Sequence, residues 1–248
     1  HEQGLISIPF VQKSCTAGYD GKGVFVVNTK EKLEQVMDCP SVIEDLVDIN
    51  KELAVIAVRN TKGEINTFPV VEMEFHPTAN LVEFLIAPAK VDTINEEKCK
   101  LLATELIEAY DICGLLAVEF FLTNDGEVLI NEVAPSPHNS GHHTIESSSS
   151  SQFEQHIRCI LNMPLGELEM LSPAIMINLL GDKDYTGPAV YEGFEDCIEV
   201  SRVYPHIYGK TMTKPYRKMG HITITDSDRD QAKEKAKLIK SKIRVIAK

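Results

Sequence analysis

A β-hairpin predicted near the middle of the chain constrains its fold more than any other feature of the sequence. Two apolar segments rich in strand-forming residues, 115–122 and 127–133, are separated by Asn124-Asp125-Gly126. Asp-Gly is a preferred dipeptide for a two-residue hairpin turn, because both central residues of that turn need positive φ angles. With Asp125-Gly126 as the turn, counting outward along the strands places Glu119 directly opposite Glu132.

The two facing glutamates suggest a site for a divalent cation. Side chains directly opposed in an antiparallel pair have Cβ atoms about 5 Å apart. Two carboxylates at that separation in apolar strands repel each other and lose hydration unless a positive charge lies between them. Mg²⁺ fits this role, because it binds one or two carboxylates together with phosphate oxygens and water. The alternative is that one glutamate faces solvent or that the pair shares a proton. Strand alternation turns Asn131 to the other face, so the register alone does not make it a ligand.

A polar loop, Pro135–His143, follows Glu132 with only two residues between. Its two prolines stiffen it and Gly141 permits a tight bend, so we expect its side chains to lie over the end of the hairpin. Loops carried on rigid strands are where substrate contacts concentrate. Three histidines in the loop could suggest zinc, but no cysteine or helical histidine pair accompanies them. A loop histidine is more often a hydrogen-bonding residue, and this is the interpretation that we favour.

A glycine-rich segment, Gly18–Gly23, lies between two strand-like segments. Three glycines within six residues permit positive φ angles and close approach of the backbone to a ligand. Consecutive amide hydrogens in such a turn form an anion-binding concavity, and phosphate is a natural occupant. The segment leads into a strand, whereas a P-loop or a dinucleotide-binding motif leads into a helix. An ordinary hairpin turn is the alternative, and the glycines alone would favour it.

The segment Tyr208–His221 concentrates positive charge in an acidic protein. Lys210, Lys214, Arg217 and Lys218 fall within nine residues. Arginine and lysine together suit a phosphate monoester, because arginine offers a planar fork of donors and lysine a point charge. A solvated basic turn is at least as good an interpretation of this segment considered alone.

The remaining pattern predicts an α+β protein in which strands outnumber helices in the first half. Helices are expected at Leu101–Ala109, after Ser151, which forms a capping-box pair with Glu154, and through Ala232–Ile243. The pattern of apolar and polar residues changes after Pro164, and we place a subdomain boundary near this residue. The strand-like segments are 10–13, 23–27, 52–58, 67–72, 82–86 and 174–180.

Composition and the chain ends exclude several classes of protein. A formal net charge of −12 argues against a nucleic-acid surface, which needs many cations to neutralise phosphates. No apolar run reaches the roughly 20 residues needed to cross a bilayer, and no export signal is visible, so we expect a cytoplasmic protein with no membrane partner. The six cysteines never lie two or three apart, which favours reduced thiols. Since an apolar strand begins almost immediately after His1, we expect that N-terminal sequence has been removed.

Taken together, these segments resemble the N5-carboxyaminoimidazole ribonucleotide synthases, ATP-grasp enzymes of purine biosynthesis, over nearly the whole chain. The most specific matches are Gly18–Gly23, Asn131-Glu132 with Ala134-Pro135, Pro137–His142, Thr144-Ile145-Glu146, Ser151–His156, Tyr208-Gly209-Lys210 and Arg217–His221. The resemblance implies an ATP-grasp fold, in which two α+β subdomains enclose ATP, followed by a small C-terminal α/β subdomain. The corresponding boundaries are 1–52 for the small subdomain with the glycine-rich loop, 53–164 for the large subdomain with the Mg²⁺ site, and 165–248 for the C-terminal subdomain that completes the substrate site.

By the same resemblance, the reaction joins bicarbonate to the amine of 5-aminoimidazole ribonucleotide, using ATP and Mg²⁺, in the de novo pathway to IMP. The products are the N5-carboxy nucleotide, ADP and phosphate, with carboxyphosphate as the intermediate, and full-length members are expected to be homodimers. Phosphoryl transfer to bicarbonate develops charge on several oxygens at once. Positioning and electrostatic stabilisation are therefore expected to dominate over covalent catalysis by the protein.

The resemblance also implies a role for individual residues. The residues implied for ATP are Lys13 at the phosphates, Gly18, Gly21 and Gly23 in the loop, Glu44, Asp45, Leu46 and Val47 at adenine, Glu52 at the ribose, and Asn131 and Glu132. Those implied for the metal are Glu119 and Glu132. Those implied for catalysis are Tyr19, Asp20, Lys22, His138, Lys210 and Arg217. Those implied for the substrate are Tyr19, Asp20, His138, Asn139, Ser140, Lys210, Arg217 and Lys218.

Two departures from the family pattern keep other functions open. Ser136 stands where the family has an arginine, which would supply a fixed donor for bicarbonate or carboxyphosphate. The resemblance also implies an N-terminal domain that contributes to the nucleotide-substrate site and the dimer, and we expect this domain to be missing from the chain. The alternatives are therefore another ATP-grasp ligase acting on a different amine or carboxylate, or a nucleotide-binding form without turnover.

Overall fold

The computed structural model describes residues 6–16, 23–75 and 81–248. Its strands are β1 Phe10–Ser14, β2 Val24–Val27, β3 Ser41–Asp45, β4 Ile49–Arg59, β5 Ile65–Thr67, β6 Val71–Phe75, β7 Val82–Ala87, β8 Gly114–Thr123, β9 Val128–Ala134, β10 Ala174–Leu180, β11 Gly187–Glu192, β12 Val203–Ile207, β13 Met212–Thr213, β14 Lys218–Thr225 and β15 Arg244–Ala247. Its α-helices are α1 Thr93–Ala109, α2 Thr144–Ser147, α3 Gln152–Ile160, α4 Phe194–Ile198 and α5 Arg229–Lys242, and short 3₁₀ turns lie at Lys30–Gln35 and Asn139–Gly141.

The chain divides into two compact units. The first unit is residues 1–49 with 75–81, and the second is residues 50–74 with 82–248. In the described part of the first unit, three antiparallel strands are ordered β2-β1-β3. Gln12 on the central strand is buried, and its side-chain amide donates to the carbonyl of Met37 and to Ser41 Oγ, each at 2.9 Å. This buried amide fixes the connection that leads into β3.

A large sheet organises the second unit. Its described strands follow the order β12-β14-β10-β7-β6-β4-β8-β9, with β5 paired to β4. The two faces of its central strands are covered separately, as the alternation of apolar residues requires. Leu53, Leu116 and Phe120 pack with α1 on one face. Ile56 and Ala117, on the other face, pack with Cys159 of α3 and with further apolar residues.

The C-terminal part of the second unit continues the same sheet. Strands β10 and β14 pair along their whole length, and α5 packs on them through Ala232, Ala236 and Ile239. These three residues form the buried stripe that their spacing of three and four residues predicts. The same C-terminal part of the chain also forms a smaller antiparallel sheet of three strands, in the order β13-β11-β15.

The α+β class predicted from the sequence is confirmed, with one strand assigned wrongly. The segment 67–72 was expected to be one strand, but β5 ends at Thr67 and β6 begins at Val71. Pro69 lies between them and has no amide hydrogen for a sheet ladder. The capping role of Ser151 is confirmed, since its side chain accepts a hydrogen bond from the Glu154 amide.

The two subdomain boundaries expected from the sequence differ in how they compare with the two compact units. The division at residue 52 lies close to the division between the two units at residue 49. The boundary at residue 164 falls inside the second unit, whose sheet runs on through β10 and β14, so it stays a proposal. In the described residues, no helix combines the length and hydropathy needed to cross a membrane.

Candidate active site

The register of the β8–β9 hairpin brings the two predicted glutamates together by an unexpected route. Glu119 lies opposite Glu132, as the sequence predicts. The two-residue turn behind that prediction is wrong, because Thr123 faces Glu127 across a loop of three residues closed by Gly126 at φ 89°. The register shifts back at a bulge, since Phe120 pairs with Ile130 while Glu119 pairs with Glu132.

The extra residue of that bulge is Asn131. The longer turn moves the register by one residue, and the bulge moves it back by one. The predicted pairing of Glu119 with Glu132 is therefore correct, although the predicted turn is not. A bulge interrupts strict strand alternation. The argument from alternation that turned Asn131 away from the glutamates therefore does not hold, and the residue keeps its candidacy as a ligand.

A row of three carboxylates crosses three neighbouring strands. Glu52 on β4 has the same strand parity as Ile56, and Glu119 on β8 the same parity as Ala117, so both belong to the face that packs with α3. Glu132 on β9 completes the row. Burial, together with the negative charge of Glu132, raises the pKa of Glu52 to about 7. The row therefore carries concentrated negative potential that a cation would relieve.

The residues present fit a hard divalent cation that brings other ligands with it. In the described part of the chain, no group of three or more histidine, cysteine, aspartate or glutamate side chains could hold a metal alone. Mg²⁺ usually binds through one or two carboxylates and completes its shell with water and phosphate oxygens. Glu119 and Glu132 supply such a pair, whereas a zinc site would need three or four protein ligands.

The loop after β9 places His138 beside this carboxylate row. His138 Nε2 lies 3.5 Å from Glu119 Oε1. Its other ring nitrogen, Nδ1, is 2.8 Å from Ser140 Oγ and accepts a hydrogen bond from the Ser140 amide at 3.3 Å. Because that nitrogen accepts, the neutral ring carries its proton on Nε2, directed toward Glu119. Ser140 is buried and fixes the tautomer of His138 rather than opening to solvent.

The loop is held from behind by Gln152, a residue to which the sequence argument gave no role in the site. Gln152 is the first residue of α3 and is fully buried. Its carbonyl oxygen accepts from the His138 amide at 2.8 Å, and its amide nitrogen lies 2.8 Å from the His138 carbonyl oxygen. The same nitrogen is 2.9 Å from His142 Nδ1. In the sequence, Gln152 was marked only by its place directly after the capping residue Ser151.

A second set of contacts, here named the polar row, ties the loop to the C-terminal strands. Its loop members are spaced three and four residues apart, as on one side of a helix. Its strand members lie on adjacent strands in direct register. The pairs are Asn139 Nδ2 to Asn178 Oδ1 at 2.8 Å, the stacked rings of His142 and His221 with centroids 4.7 Å apart, and Glu146 Oε1 to His206 Nε2 at 2.7 Å.

The three loop histidines therefore have different partners. Besides its contact with His221, His142 stacks on Phe153 at 5.7 Å, and its pKa is lowered to about 4, chiefly by burial. His143 is buried, its Nδ1 lies 2.7 Å from Ser147 Oγ, and burial lowers its pKa to about 3. Burial also lowers the pKa of His221 to about 3. These rings are neutral near pH 7, and each has a packing role.

The basic residues predicted at 208–221 surround the start of β14. Lys210 Nζ donates to the Lys218 carbonyl at 2.6 Å and lies 5.5 Å from the Tyr208 ring centroid. Lys218 is close enough to His142 to contribute to its lowered pKa, after burial and His138. Arg217 Nη1 donates to the Met212 carbonyl at 2.8 Å, within the segment that connects β12 to β14. Lys218 is thus adjacent to the loop, and a direct role for Arg217 stays a prediction.

The predicted nucleotide residues of the first unit that the structure describes lie on β1 and β3, just before β2, and just after β3. Lys13 Nζ forms an ion pair with Glu44 Oε2 at 2.7 Å. Asp45 ends β3, and Leu46 and Val47 follow it in the connection to β4. Gly23 has φ 82°, and its carbonyl accepts from the Ser14 amide at 2.8 Å. The predictions for Gly18, Tyr19, Asp20, Gly21 and Lys22 concern residues outside the described part of the chain.

Comparison with protein families gives two matches along the chain. Residues 2–153 match the ATP-grasp domain, and residues 174–235 match the phosphoribosylaminoimidazole carboxylase C-terminal domain. Among curated proteins, the chain is 42% identical over 230 residues to N5-carboxyaminoimidazole ribonucleotide synthase of Bacillus subtilis, covering 91% of this chain and 58% of that protein. It is 40% identical to phosphoribosylaminoimidazole carboxylase of Saccharomyces cerevisiae, covering 94% of this chain and 42% of that protein. The chain thus spans about half the length of these relatives.

Solved structures agree with the family matches. N5-carboxyaminoimidazole ribonucleotide synthetase from Thermotoga maritima superposes with a TM-score of 0.89 at 42% identity, over 98% of this chain and 64% of that one. The synthase from Aspergillus clavatus, solved in complex with ADP and 5-aminoimidazole ribonucleotide, gives a TM-score of 0.83 at 32% identity, over 97% of this chain and 63% of that one. The expected ATP-grasp fold is confirmed by these findings. The chain belongs to the ATP-grasp family, in the group that also carries the phosphoribosylaminoimidazole carboxylase C-terminal domain.

Proposed function

We propose that this chain is the ATP-grasp and C-terminal part of an N5-carboxyaminoimidazole ribonucleotide synthase. The reaction is the ATP- and Mg²⁺-dependent carboxylation of 5-aminoimidazole ribonucleotide by bicarbonate, with ADP and phosphate as the other products. The observation that carries the proposal is the position of His138, which is anchored in the loop after β9 and lies 3.5 Å from the carboxylate row at Glu119. The named relatives support the choice of substrate.

The carboxylate row is proposed to hold the nucleotide through its metal. Mg²⁺ bound between Glu119 and Glu132 would neutralise charge on the phosphates during transfer. Asn131 at the bulge is an additional candidate ligand. Glu52, protonated or ionised near neutral pH because of its raised pKa, is proposed to accept the ribose hydroxyls. In the first unit, Lys13 is proposed for the phosphates, and Glu44, Asp45, Leu46 and Val47 for the adenine.

His138 is proposed to contact bicarbonate and the amine that it carboxylates. Its Nε2–H points toward the carboxylate row, so the ring can donate to an oxygen that gains negative charge near the metal. The ring is held by Ser140, and Asn139 is fixed by Asn178. We therefore propose that Ser140 and Asn139 serve the substrate mainly by orienting the loop.

The phosphate of the ribonucleotide is proposed to meet the cations of the C-terminal segment. Lys210 and Lys218 lie together at the start of β14, and Lys218 neighbours the loop through His142. Arg217 is the third cation proposed for this role. Tyr19, Asp20 and Lys22 are proposed as further substrate contacts, on the resemblance alone. Homodimer formation is proposed for the whole protein on the same ground, and a cytoplasmic location is proposed as expected from the sequence.

A second candidate function, nucleotide binding without turnover, follows from Ser136. This residue is exposed, and its hydroxyl lies 3.5 Å from the Pro137 carbonyl. A serine at this position is too short to act as the extended guanidinium donor of the family pattern. Bicarbonate would then lack one fixed partner.

Product analysis tests the proposal. The chain, alone and fused to the segment of the Bacillus subtilis relative that it does not match, is incubated with MgATP, ¹³C-bicarbonate and 5-aminoimidazole ribonucleotide. We expect ADP release to depend on both other substrates and the ¹³C signal of an N-carboxylate to appear. Nucleotide binding without carboxylation in either form, including forms with Ser136→Arg, would support the second candidate. Carboxylation of a different amine would indicate another ligase of the family.

A further inference from the structure

We infer that Gln152 is a positioning residue of the active site. It acts by holding the backbone and one side chain of the loop Pro135–His143, here named the His138 loop. The inference rests on the proposed function for its kinetic consequence, but its structural content is independent of the reaction. Among the described residues, the side-chain hydrogen bonds of Gln152 go to His138 and His142 and not to the carboxylate row. Its influence on chemistry must therefore pass through the residues that it holds.

The clamp consists of three hydrogen bonds from one side-chain amide. The oxygen accepts from the His138 amide, and the nitrogen reaches both the His138 carbonyl and His142 Nδ1, at 2.8, 2.8 and 2.9 Å. An amide group offers two donor hydrogens and one carbonyl oxygen. Both donors and the acceptor are thus used within one loop, and the Gln152 nitrogen donates to a ring nitrogen that carries no proton.

The main chain of Gln152 adds a fourth connection. Its amide donates to Thr144 Oγ1 at 2.9 Å, and that hydroxyl donates to the Gly141 carbonyl at 2.6 Å. Ser151 caps the same helix end through the Glu154 amide. The first turn of α3 is therefore hydrogen-bonded to the loop at His138 and to Thr144 directly after it, and through Thr144 to Gly141. These bonds hold the loop in a fixed position relative to the helix.

Close packing around Gly141 restricts rearrangement of the clamp. A Cβ added to Gly141 would lie 2.6 Å from Gln152 Oε1 and would also overlap Ile56 Cδ1. The loop backbone therefore lies directly on the glutamine side chain and on the sheet. A close-packed site of this kind resists small displacements.

The orientation of α3 indicates that the buried glutamines have a specific purpose. Gln152 and Gln155 face inward and are fully buried, whereas Phe153 and Ile157 are 40% and 50% exposed. Burying an amide is unfavourable unless its hydrogen bonds are made. An inward position with only a packing role would favour an apolar residue. Here the polar side is turned inward, where its hydrogen bonds fix neighbouring backbone.

The consequence for catalysis is control of His138. Displacement of a reacting group by about 1 Å can lower a rate on the order of a hundredfold. Without the clamp, the amide and carbonyl of His138 would lose their buried partners, and the loop would adjust to recover hydrogen bonds. His138 would then leave its position 3.5 Å from Glu119.

The test compares Gln152→Met with the matched control Gln155→Met. Both glutamines lie on α3 and are fully buried, and methionine has a similar length and shape. Gln155 donates to Ser150 Oγ at 2.6 Å and accepts from the Gly166 amide at 3.2 Å, and in the described part of the chain its side chain makes no hydrogen bond to the His138 loop. We expect both variants to lower Tm by similar amounts, because each leaves buried polar groups without partners.

The two variants should differ in hydrogen exchange and in kinetics. In Gln152→Met, amide exchange in residues 138–144 should accelerate at least tenfold, kcat should fall on the order of a hundredfold, and the KM for ATP should stay within twofold. In Gln155→Met, exchange in 138–144 and both kinetic constants should stay within twofold of the unsubstituted protein. Equal effects of the two variants on exchange and on kcat would overturn the inference.

Two further measurements keep the test decisive. If Gln152→Met does not fold, Gln152→Glu is measured instead, since it keeps the acceptor for the His138 amide and loses the donors when ionised. It should show intermediate exchange in 138–144, and exchange equal to the unsubstituted protein would contradict the clamp. If the unsubstituted protein carboxylates no 5-aminoimidazole ribonucleotide, the proposed function fails, while the exchange comparison still decides whether Gln152 positions the loop.

Discussion

At the scale of single residues, the hairpin shows how one bulge residue decides the geometry of a site. Asn131 is the extra residue that restores the register between Glu119 and Glu132 after a three-residue turn has shifted it. Without the bulge, the longer turn would pair Glu119 with Asn131. The carboxylates would then be offset along the strands, and a cation could not lie between them as directly.

Replacing Glu132 with alanine should separate the metal site from the stability of the fold. Glu132 is exposed and raises the pKa of Glu52, so its removal relieves repulsion. We expect Tm to be unchanged or slightly higher and Mg²⁺-dependent turnover to fall at least about 100-fold, since even outer-shell partners of a metal are worth 10 to 100-fold. Thermal unfolding and steady-state ADP release measure both effects. Glu127→Ala, at an exposed turn position, is the control and should keep full turnover.

Gly141 should tolerate no side chain. An added Cβ would overlap Ile56 Cδ1 and approach Gln152 Oε1 to 2.6 Å, so Gly141→Ala should destabilise the protein by about 1–3 kcal/mol. Urea unfolding measures this loss. Ile56→Val removes the methyl group that overlaps, so the double variant should lose less than the sum of the single variants. Strict additivity would show that the site can expand without moving Ile56.

At the scale of elements, the loop after β9 belongs structurally to two parts of the second unit. It follows a strand of the hairpin, but the polar row attaches it to β10, β14 and β12. His206 and His221 also stack, with centroids 4.4 Å apart. The C-terminal strands therefore help to position His138 although they lie far from it in sequence. The C-terminal strands and the hairpin thus both hold the loop that carries His138.

The outer end of the polar row should be sensitive to loss of its polar partner. His206→Phe can keep the stack on His221, but it leaves the Glu146 carboxylate, 10% exposed, without its nitrogen partner. Since the other oxygen of Glu146 is already buried without a partner, we expect a loss of about 1–3 kcal/mol in unfolding free energy. Tyr204→Phe, on the same strand and 39% exposed, should change it by less than about 0.5 kcal/mol. A near-neutral His206→Phe would mean that water or another polar group replaces the lost partner of Glu146.

At the scale of the whole molecule, the neutral buried histidines should make stability depend on pH. Burial lowers the pKa of His142 to about 4 and those of His143 and His221 to about 3, against 6.5 as the ordinary value. Their contribution is fully present above pH 6.5 and is lost as the pH falls, because the unfolded chain binds protons first. Glu52 acts in the opposite sense, because its pKa is raised to about 7. The folded protein binds this proton before the unfolded chain does, so the contribution of Glu52 to stability increases as the pH falls toward 4.5.

The slope of the unfolding free energy against pH should correspond to a net uptake of about two protons on unfolding. The three histidines take up three protons when the chain unfolds, and Glu52 releases one. Between pH 6 and 5, the unfolding free energy should therefore fall by roughly 3 kcal/mol per pH unit. Urea unfolding at pH 7.5, 6.5, 6 and 5 measures the slope. Glu52→Gln should steepen it, because the opposing proton is removed. A flat profile between pH 6 and 5 would indicate that these histidines are hydrated in the folded state.

Much of this architecture could be predicted from the sequence, because local patterns carry it. Alternation of apolar residues gave the hairpin, the spacing of Ala232, Ala236 and Ile239 gave the face of α5, and Ser151 marked the start of α3. The one wrong strand, 67–72, lay where Pro69 breaks a run of otherwise strand-forming residues. The pairing of Glu119 with Glu132 was also predicted, although through a turn that the structure does not have.

The sequence by itself determined the elements, the family and the chemical types of residue near β9, because these depend on neighbours in the chain. Only the tertiary structure decided which residues support the site. Gln152, Asn178, His206 and His221 reach the loop across 10 to 79 residues of sequence, counted from their partners His138, His142, Asn139 and Glu146. No periodicity links positions so far apart. Their contacts follow from strand order and from the packing of α3 on the sheet, which are properties of the folded chain.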